Sequence, residues 1–400
     1  MKIRLLQVRE KEEIVSQMRA LKVDEAGIKI MSDKAVFSVL KIEDIPGLLA
    51  NVLKQEMLSL GGEVAVPRDV ITGKLKRTDC LVFGTKSEYT KLLEKLRHQP
   101  WGLDKLAMEL KTLLENAQRS TWRMKAGRFN LNLGEKTCVM GVLNVTPDSF
   151  SDAGLFFKPS QAIERALELE KDGADILDIG GESSRPGAKT VRVKEELKRV
   201  IPVIKILAKR LNIPISIDTR KSEVARQAIE AGASMVNDVS GLRYDPEMKK
   251  TVACLNVPVV IMHMKGTPRT MQKSAAYKSL ISNIVDYLRC GIEMATESGI
   301  CRENIIVDPG IGFGKTVEHN LFILKNLSEF KVLGRPILVG TSRKSFMGKI
   351  LNVEVNARLC GTLSSSSVAI INGAQILRAH DVKEVKQAAK LVDSIIKSNV

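Results

Sequence analysis

The sequence predicts an α/β protein in which a (β/α)8 TIM barrel follows a small N-terminal α/β domain. Between residues 142 and 381, eight short apolar runs alternate with helical patterns, which indicates parallel strands joined by crossover helices. Eight such units match a TIM barrel, which typically takes about 250 residues. The chain has 400 residues, so we assign 1–120 to a separate α/β domain and 121–400 to the barrel.

The N-terminal domain is predicted to contain strands and two helices. Residues 3–8 and 80–84 are mostly apolar over short runs, which predicts two strands. Residues 45–60 form a helical pattern that Gly61 and Gly62 terminate. Leucines between 103 and 114 recur at spacings of three and four, which predicts a second helix. We find no catalytic constellation in this domain and assign it no role.

Residues 121–136 lead into the barrel. Phe129, Leu131 and Leu133 alternate with polar residues before a turn at 134–136. This pattern predicts a hairpin with 137–140 as the return strand, placed to cover the lower mouth of the barrel. In the barrel, residues 161–171 and 193–211 have the apolar spacing of helices. The serines at 364–367 also fall within a helical pattern.

Polar residues follow each of the eight predicted strands. A strand that simply reaches the surface would explain any one of them. The carboxyl ends of TIM-barrel strands form the active face, however, so the whole set is expected to converge on one mouth. The residues concerned are Asn144, Asp218, Asn237, His263, Asp308, Lys344, Arg378 and His380, with Ser184 and Arg185 in the glycine-rich loop after the second strand.

The carboxylates and amide of this set suit a flat heterocycle. Asp218 and Asp308 can accept hydrogen bonds, and Asn237 can both donate and accept. A carboxylate binds two adjacent donors, such as those on the edge of a 2-amino-4-oxopteridine, in a bidentate manner. Lys344 could meet a ring oxygen. A helix cap or a salt bridge remains an alternative role for each aspartate. The glycines at 310, 312 and 314 would let a flat ligand approach closely.

The basic residues suit a phosphate. Arg378 and His380 are two apart, so on an extended strand end they share a side. Two neighbouring donors of this kind bind phosphate well, and Arg185 could complete the cluster. Asn144 could position Mg²⁺ or a phosphate oxygen, because Mg²⁺ is often held through substrate phosphates with few protein ligands. TIM barrels commonly bind phosphate near strands seven and eight.

Composition argues against several other classes of protein. The net charge is +16, but no basic run of five residues occurs, so we expect no nucleic-acid arm. No apolar run reaches eighteen residues, so we expect no membrane span. None of the six cysteines forms a C-x-x-C pair, which favours a reduced, cytoplasmic setting. The four histidines lack zinc-ligand spacing, and no G-x-S-x-G elbow is present.

Six motifs together closely resemble the dihydropteroate synthase family over residues 121–400. They are MGVLNVTPDSFSD at 140–152, GGESSRPG at 180–187, MHMKGTP at 262–268, DPGIGFG at 308–314, SRKS at 342–345 and RAHD at 378–381. The resemblance implies a TIM-barrel transferase of folate biosynthesis, typically a homodimer. It would condense 6-hydroxymethyl-7,8-dihydropterin diphosphate with 4-aminobenzoate and release diphosphate, with Mg²⁺ assisting. The N-terminal domain resembles, more weakly, extensions on some bacterial synthases.

The resemblance also implies roles for individual residues. The family's pterin-binding set corresponds to Asp218, Asn237, Asp308 and Lys344. Asn144 corresponds to the residue that holds metal and diphosphate. Ser184 and Arg185 correspond to the loop pair near aminobenzoate and diphosphate, and Arg378 and His380 to the diphosphate anchors. Among them we predict catalytic roles for Arg185, Lys344 and Asp218. The loops 145–157 and 183–190 are expected to close over the second substrate. Ser184 stands where threonine is usual, and Ile311 replaces a frequent phenylalanine.

Three other functions stay open at this point. A pterin-binding methyltransferase shares the barrel and the pterin set, although the diphosphate anchors Arg378 and His380 argue against it. A synthase that uses a derivative of 4-aminobenzoate would carry the same motifs. A catalytically silent barrel whose N-terminal domain binds a partner is the third possibility, which the intact polar strand ends disfavour.

Overall fold

The computed structural model describes residues 1–6, 8, 11–146, 159–183, 190–266 and 277–398. The chain divides into two compact units, Met1–Glu115 and Asn116–Val400. This division lies slightly N-terminal of the boundary predicted at 120. Among the described helices, none is long and apolar enough to cross a membrane.

The first unit combines a small sheet with helices. Its strands β1 (Phe37–Pro46), β2 (Glu63–Ala65) and β3 (Arg77–Thr85) form an antiparallel sheet in the order β1-β3-β2. Its helices are α1 (Lys11–Ala20), α2 (Glu25–Ala35), α3 (Gly47–Ser59), α4 (Lys86–Arg97) and α5 (Leu103–Gln118), with a 3-10 turn at Arg68–Val70. The predicted helices over 45–60 and 103–114 and the strand over 80–84 are confirmed as α3, α5 and part of β3.

The strand predicted over residues 3–8 is wrong. The described residues of that segment belong to no strand or helix, and Ile3 and Leu5 are exposed. An isolated extended segment has no neighbour to pair its backbone groups, so an apolar run alone does not make a strand. The strands that do pair with β3 are β1 and β2, and neither was predicted as a strand.

The second unit begins with a hairpin that covers the bottom of the barrel. Strands β4 (Trp122–Ala126) and β5 (Phe129–Leu133) pair antiparallel, and their apolar side chains pack in one cluster with the barrel floor. The predicted cover of the lower mouth is confirmed. The predicted pairing of β5 with 137–140 is wrong, because Cys138–Asn144 forms β6, which pairs in parallel with two barrel strands.

Eight parallel strands form the barrel. They are β6, β7 (Ile176–Gly180), β8 (Ile215–Asp218), β9 (Met235–Asp238), β10 (Val259–Met262), β11 (Ile305–Asp308), β12 (Leu338–Val339) and β13 (Ile376–Ala379). Each pairs with the next, β13 pairs with β6, and a parallel bridge between Val307 and Ile337 joins β11 to the start of β12. The predicted (β/α)8 barrel is confirmed.

Helices surround the barrel and bury its outward-facing strand residues. They are α6 (Pro159–Lys171), α7 (Val193–Arg210), α8 (Ser222–Glu230), α9 (Met248–Leu255), α10 (Leu280–Glu297), α11 (Val317–Lys325), α12 (Ser345–Leu351), α13 (Leu359–Ile371) and α14 (Val382–Lys397). Further 3-10 turns cover Arg302–Asn304, Leu327–Leu333 and Val355–Ala357. Outward residues such as Leu177 and Ile179 pack with these helices in the main core. The helices predicted at 161–171 and 193–211 and around the serine run are confirmed.

Candidate active site

The barrel interior changes from apolar to polar toward the carboxyl ends of its strands. Side chains two apart on a strand face the same side, and the floor cluster contains one apolar residue from most strands. On four of these strands, the residue two positions after the floor residue is polar. These pairs are Ile176 and Asp178, Met235 and Asn237, Ile306 and Asp308, and Ile376 and Arg378.

A pocket lies above this polar layer. Its lining residues are Asn237, Val239, Met262, Asp308, Phe313, Gly340, Ser342, Lys344, Arg378 and His380. Five predicted site residues therefore share one pocket. Asn144 ends β6 and is half-buried, outside that lining. Ser184 and Arg185, with most of the loops 145–157 and 183–190, lie outside the described residues.

Arg378 bridges two buried carboxylates. Its Nε donates to Asp178 Oδ2 at 2.7 Å, and its Nη2 donates to Asp218 Oδ2 at 2.7 Å. The same Asp178 oxygen accepts from Asn237 Nδ2 at 3.0 Å. The arginine that the sequence assigns to a phosphate is thus directed, in part, into the barrel. Among the described residues Nη1 has no partner, so its two hydrogens, with the second hydrogen of Nη2, are the donors left for a ligand.

Asp178 is not among the predicted site residues. The prediction considers strand ends, and Asp178 lies inside β7 with Ile179 and Gly180 after it. The period of two identifies it, because Ile176 belongs to the barrel floor and Asp178 faces the same way. A charged residue at an inward position of a buried strand is unusual enough to be a signal.

The paired carboxylates compete for one guanidinium. Burial raises the pKa of Asp218 to about 7, and the neighbouring Asp178 charge adds to this effect while Arg378 opposes it. A carboxyl group with this pKa changes charge close to neutral pH. The Asp218 carboxyl group is therefore fully ionised, and accepts hydrogen bonds with both oxygens, only at pH values above its pKa.

Asp308 is held at its strand end by the turn that follows. Its Oδ1 accepts from the Gly310 N–H at 2.6 Å, and burial raises the pKa of its carboxyl group. Gly310 has φ +70°, and a Cβ there would lie 1.9 Å from the His263 carbonyl oxygen. Only glycine fits this position. We expected the glycines of this loop to let a flat ligand approach closely. Gly310 is instead required by the protein's own packing against His263.

Lys344 reaches across the pocket to the same loop. Its Nζ donates to the Ile311 carbonyl oxygen at 2.5 Å and lies 4.3 Å from the centre of the Phe313 ring. Removal from water lowers the pKa of Lys344 to about 8, although Asp308 favours the charged form. A Cβ on Gly312 would lie 2.8 Å from Lys344 Cδ, so that glycine makes room for the lysine.

A second lysine holds the loop from behind. Lys315 Nζ contacts three acceptors: Gly310 O at 2.8 Å, Phe313 O at 3.0 Å and His263 Nδ1 at 2.9 Å. An ammonium group has three hydrogens to donate, so these contacts use all of them while Lys315 is charged. Burial lowers the pKa of Lys315 to about 7, although Asp308 favours the charged form. Burial and the Lys315 charge lower the pKa of His263 to about 2. His263, which the sequence places at the mouth, is therefore a neutral acceptor for Lys315 and does not line the pocket.

The loops after β12 and β13 are joined to each other by side-chain contacts. The Arg343 guanidinium pairs with Asp381 through Nε at 3.0 Å and Nη2 at 2.5 Å. His380 Nδ1 lies 3.2 Å from Ser342 Oγ. These contacts fix the relative positions of Lys344 and His380. Among the described residues, no group of three or more His, Cys, Asp or Glu side chains could hold a metal ion.

Three comparisons with known proteins agree with this geometry. A family model described as "Pterin binding enzyme" matches residues 140–380. A dihydropteroate synthase of Synechocystis sp. is 47% identical over 273 residues, which cover 68% of this chain and 94% of that protein. A solved structure of Xanthomonas albilineans dihydropteroate synthase with 4-aminobenzoic acid is 40% identical with a TM-score of 0.66, and the match covers 70% of this chain and 100% of that one.

A further relative matches almost the whole chain. It is a probable bifunctional folylpolyglutamate synthase/dihydropteroate synthase of Halobacterium salinarum, 39% identical over 378 residues. These residues cover 93% of this chain and 44% of that protein. The likeness therefore extends into the N-terminal unit as well as the barrel.

Proposed function

The chain belongs to the dihydropteroate synthase family of pterin-binding enzymes, and on that premise we propose how its residues share the reaction. It is a transferase of folate biosynthesis that condenses 6-hydroxymethyl-7,8-dihydropterin diphosphate with 4-aminobenzoate to 7,8-dihydropteroate and diphosphate. The observation that carries the assignment of roles is the shared pocket of Asn237, Asp308, Lys344, Arg378 and His380 above the polar layer of the barrel.

The pterin binds in the deeper part of this pocket. Asp308 accepts from the 2-amino edge of the ring, and its hydrogen bond from Gly310 holds the carboxylate in place. Asn237 and Asp218 meet further ring atoms, while Lys344 donates to a ring oxygen. Binding requires Lys344 Nζ to exchange or share its contact with the Ile311 carbonyl. Apolar side chains such as Met262 and Val239 cover the ring faces.

The diphosphate binds toward the mouth. His380 and the Nη1 group of Arg378 supply donors beside one another, and Arg185 adds a third positive group. Asn144 ends β6 with a neutral amide oxygen, a ligand type that suits Mg²⁺. Its single oxygen fits a metal ion held mainly through the substrate's phosphates. Bound there, Mg²⁺ would neutralise charge on the departing diphosphate.

The reaction breaks the bond between the exocyclic methylene carbon and the diphosphate oxygen, and forms a bond from that carbon to the amine nitrogen. The electron-rich dihydropterin stabilises positive charge on the methylene. Donors on the diphosphate stabilise the negative charge of the leaving group. The amine is neutral before attack, and its proton leaves after the new bond forms, so no strong base is needed. Ser184 lines the aminobenzoate side of the site.

The barrel presents a surface suited to a homodimer. Helices α11, α12, α13 and α14 contact one another in sequence and carry most of the large exposed apolar side chains of the described barrel. These residues are Leu321, Phe322, Ile350, Leu351, Val368, Ile371, Leu391, Ile395 and Ile396, and Val355 adds to them from the 3-10 turn between α12 and α13. We call this set the apolar patch, and large exposed apolar patches mark interaction sites. We propose that a second copy of the chain covers it, since closed homodimers are the commonest assembly.

The chain is proposed to act in the cytoplasm. All six cysteines lie in the described part of the chain and none is in a disulfide, which is typical of a reducing compartment. This state supports the localisation that the substrates of folate biosynthesis also favour.

The test is an assay of the purified full chain with both substrates. With Mg²⁺, it is expected to form dihydropteroate and diphosphate in equal amounts, and removal of Mg²⁺ by a chelator should slow the reaction sharply. Folded protein that forms neither product would refute the assigned reaction. A parallel assay with ring-substituted derivatives of 4-aminobenzoate distinguishes the true co-substrate: a derivative with a higher kcat/KM than 4-aminobenzoate would replace it.

A further inference from the structure

Asp178 is a fully buried carboxylate to which the reaction described above gives no role. It lies inside β7 with no exposed surface. Among the described residues, its hydrogen-bond partners are two pocket residues on other strands, Arg378 of β13 and Asn237 of β9. Asp178 itself is not among the residues that line the pocket. It therefore supports two ligand-facing side chains from beneath.

The contact with Asp178 fixes the orientation of the Asn237 amide. A carboxylate can only accept hydrogen bonds, so the amide atom that faces it at 3.0 Å must be Nδ2. The Oδ1 atom of Asn237 is then the atom left for the pocket. A ligand atom that meets Asn237 must consequently be a hydrogen-bond donor, such as a ring or amino N–H.

The same carboxylate fixes the plane of the Arg378 guanidinium. The Nε contact to Asp178 and the Nη2 contact to Asp218, both 2.7 Å, hold two edges of one planar group. The fork of donors on an arginine is rigid, so these two contacts determine where Nη1 points. Without Asp178, Arg378 would keep only its contact to Asp218 and could rotate about it.

A purely structural role explains Asp178 less well. Its Oδ1 atom is buried and has no partner among the described residues. Burying a carboxylate carries a desolvation penalty, and buried ion pairs are often no more stabilising than apolar residues of the same size. The residue two positions earlier on the same face, Ile176, is apolar and packs in the floor cluster, so the inward face of β7 is not polar along its whole length.

We propose that Asp178 is a positioning residue for pterin recognition, which sets the amide of Asn237 as an acceptor and the guanidinium of Arg378 in one plane. This inference rests on the proposed substrate-binding roles of Asn237 and Arg378. By fixing the Asn237 amide, Asp178 makes the pocket selective for a heterocycle that donates a hydrogen bond to Asn237 Oδ1. Asp178 itself does not touch the ligand.

The test compares Asp178→Leu, which removes the oxygen that Arg378 and Asn237 share, with Asp178→Asn, whose single amide oxygen can take its place without the charge. Binding of 6-hydroxymethylpterin diphosphate to the full chain is measured by calorimetry, together with the KM for each substrate and the melting temperature. Asp178→Leu is expected to weaken pterin binding by at least about tenfold, and Asp178→Asn to restore part of that loss. The KM for 4-aminobenzoate at saturating pterin diphosphate should stay within about twofold.

Asp175 supplies a matched control. This carboxylate directly precedes β7 and pairs with Lys386, at the opposite end of the strand from the pocket. Asp175→Asn should change the melting temperature but not the pterin affinity. If Asp178→Leu does not fold, Asp178→Asn alone decides, with an expected weakening of about threefold or more.

Two results would overturn the inference. One is an unchanged pterin affinity in a folded Asp178 variant. The other is an equal rise of both KM values, which a general loss of packing would produce. Asn237→Ala separates this from the proposed function: if it also leaves pterin affinity unchanged, the assigned role of Asn237 fails. If it weakens binding while the Asp178 variants do not, only the inference about Asp178 fails.

Discussion

At the scale of single residues, the site depends on charged groups that share partners. Arg378 serves two carboxylates, and Lys344 lies between Asp308 and the carbonyl of Ile311. Each group is withdrawn from water, so its protonation state is set by neighbours as much as by solvent. Ligand binding changes those neighbours, which links affinity to pH.

Pterin affinity is expected to be highest between about pH 7 and 8. Burial raises the pKa of Asp218 to about 7, so at lower pH its carboxyl group is protonated and cannot accept. Desolvation lowers the pKa of Lys344 to about 8, so at higher pH its ammonium loses the charge that binds a ring oxygen. Affinity should fall about tenfold per pH unit on each side, measured by calorimetry from pH 5.5 to 9.5 with a pterin that lacks diphosphate.

Lys344→Arg is the control for this pH profile. An arginine stays charged throughout the range, so the alkaline fall should disappear while the acid fall remains. A flat profile in the unaltered protein would contradict the assignment of these two groups to pterin binding.

Asp308→Asn and His380→Ala are expected to separate the two halves of the substrate. Asp308→Asn removes the charged acceptor for the ring edge and should weaken binding of the pterin with and without diphosphate by similar factors. His380→Ala should weaken only the diphosphate form. The loss of a charge-assisted hydrogen bond is worth about 1.5–3 kcal/mol, and calorimetry with both ligands measures it. Equal losses for both ligands in His380→Ala would place that residue at the ring instead.

At the scale of elements, the loop between β11 and α11 is the part of the site that depends most on internal contacts. Gly310 is needed because a side chain would collide with His263, and Asp308 accepts from the backbone of the same turn. The Thr316 side chain then caps α11 by accepting from the His319 N–H at 3.2 Å. Lys315 Nζ links this loop to His263, because it contacts Gly310 O and Phe313 O within the loop and His263 Nδ1 outside it.

Lys315→Met is expected to loosen this loop. The change leaves Gly310 O, Phe313 O and His263 Nδ1 without their shared donor, which should lower the free energy of unfolding by about 1–3 kcal/mol. Because the loop carries Phe313 and the carbonyl bound by Lys344, pterin affinity should fall as well. Urea unfolding and calorimetry measure the two effects. Lys325→Met, at the exposed end of α11, is the control, and an equally small change in both variants would show that Lys315 does not brace the loop.

At the scale of the whole molecule, the large exposed apolar side chains of the described barrel are unevenly distributed. Outside the apolar patch on α11–α14 and Val355, the large exposed apolar residues of the described barrel are Val193, Ile206 and Tyr244. Such an uneven distribution is what an interface between copies would produce.

The chain is therefore expected to sediment at twice its 44.1 kDa mass. Ile395→Glu places a charge within the apolar patch and should shift the protein toward the monomer, as measured by analytical ultracentrifugation. Ile206→Glu, on the exposed face of α7, should leave the dimer intact. A monomeric unaltered chain at micromolar concentration would contradict the proposed interface.

The sequence by itself determined the barrel, its active face and five residues of the pocket. Strand and helix periods are local, and the rule that strand ends meet at one face turns a linear pattern into a site. The same reasoning predicted that Asn237, Asp308 and His380 lie near one another, but it could not give the distances between them.

Only the tertiary structure decided which partners these groups have. The strand predicted at 3–8 does not form because a strand requires a neighbour to pair with. In the hairpin before the barrel, β5 pairs with β4, because β6 pairs on both sides with parallel barrel strands. Arg378 turns toward Asp178 and Asp218, and His263 toward Lys315. These contacts join residues far apart in the chain, so no local pattern specifies them. They follow from closure of the barrel, which brings charged groups into a small space where each must find an opposite charge or a hydrogen bond.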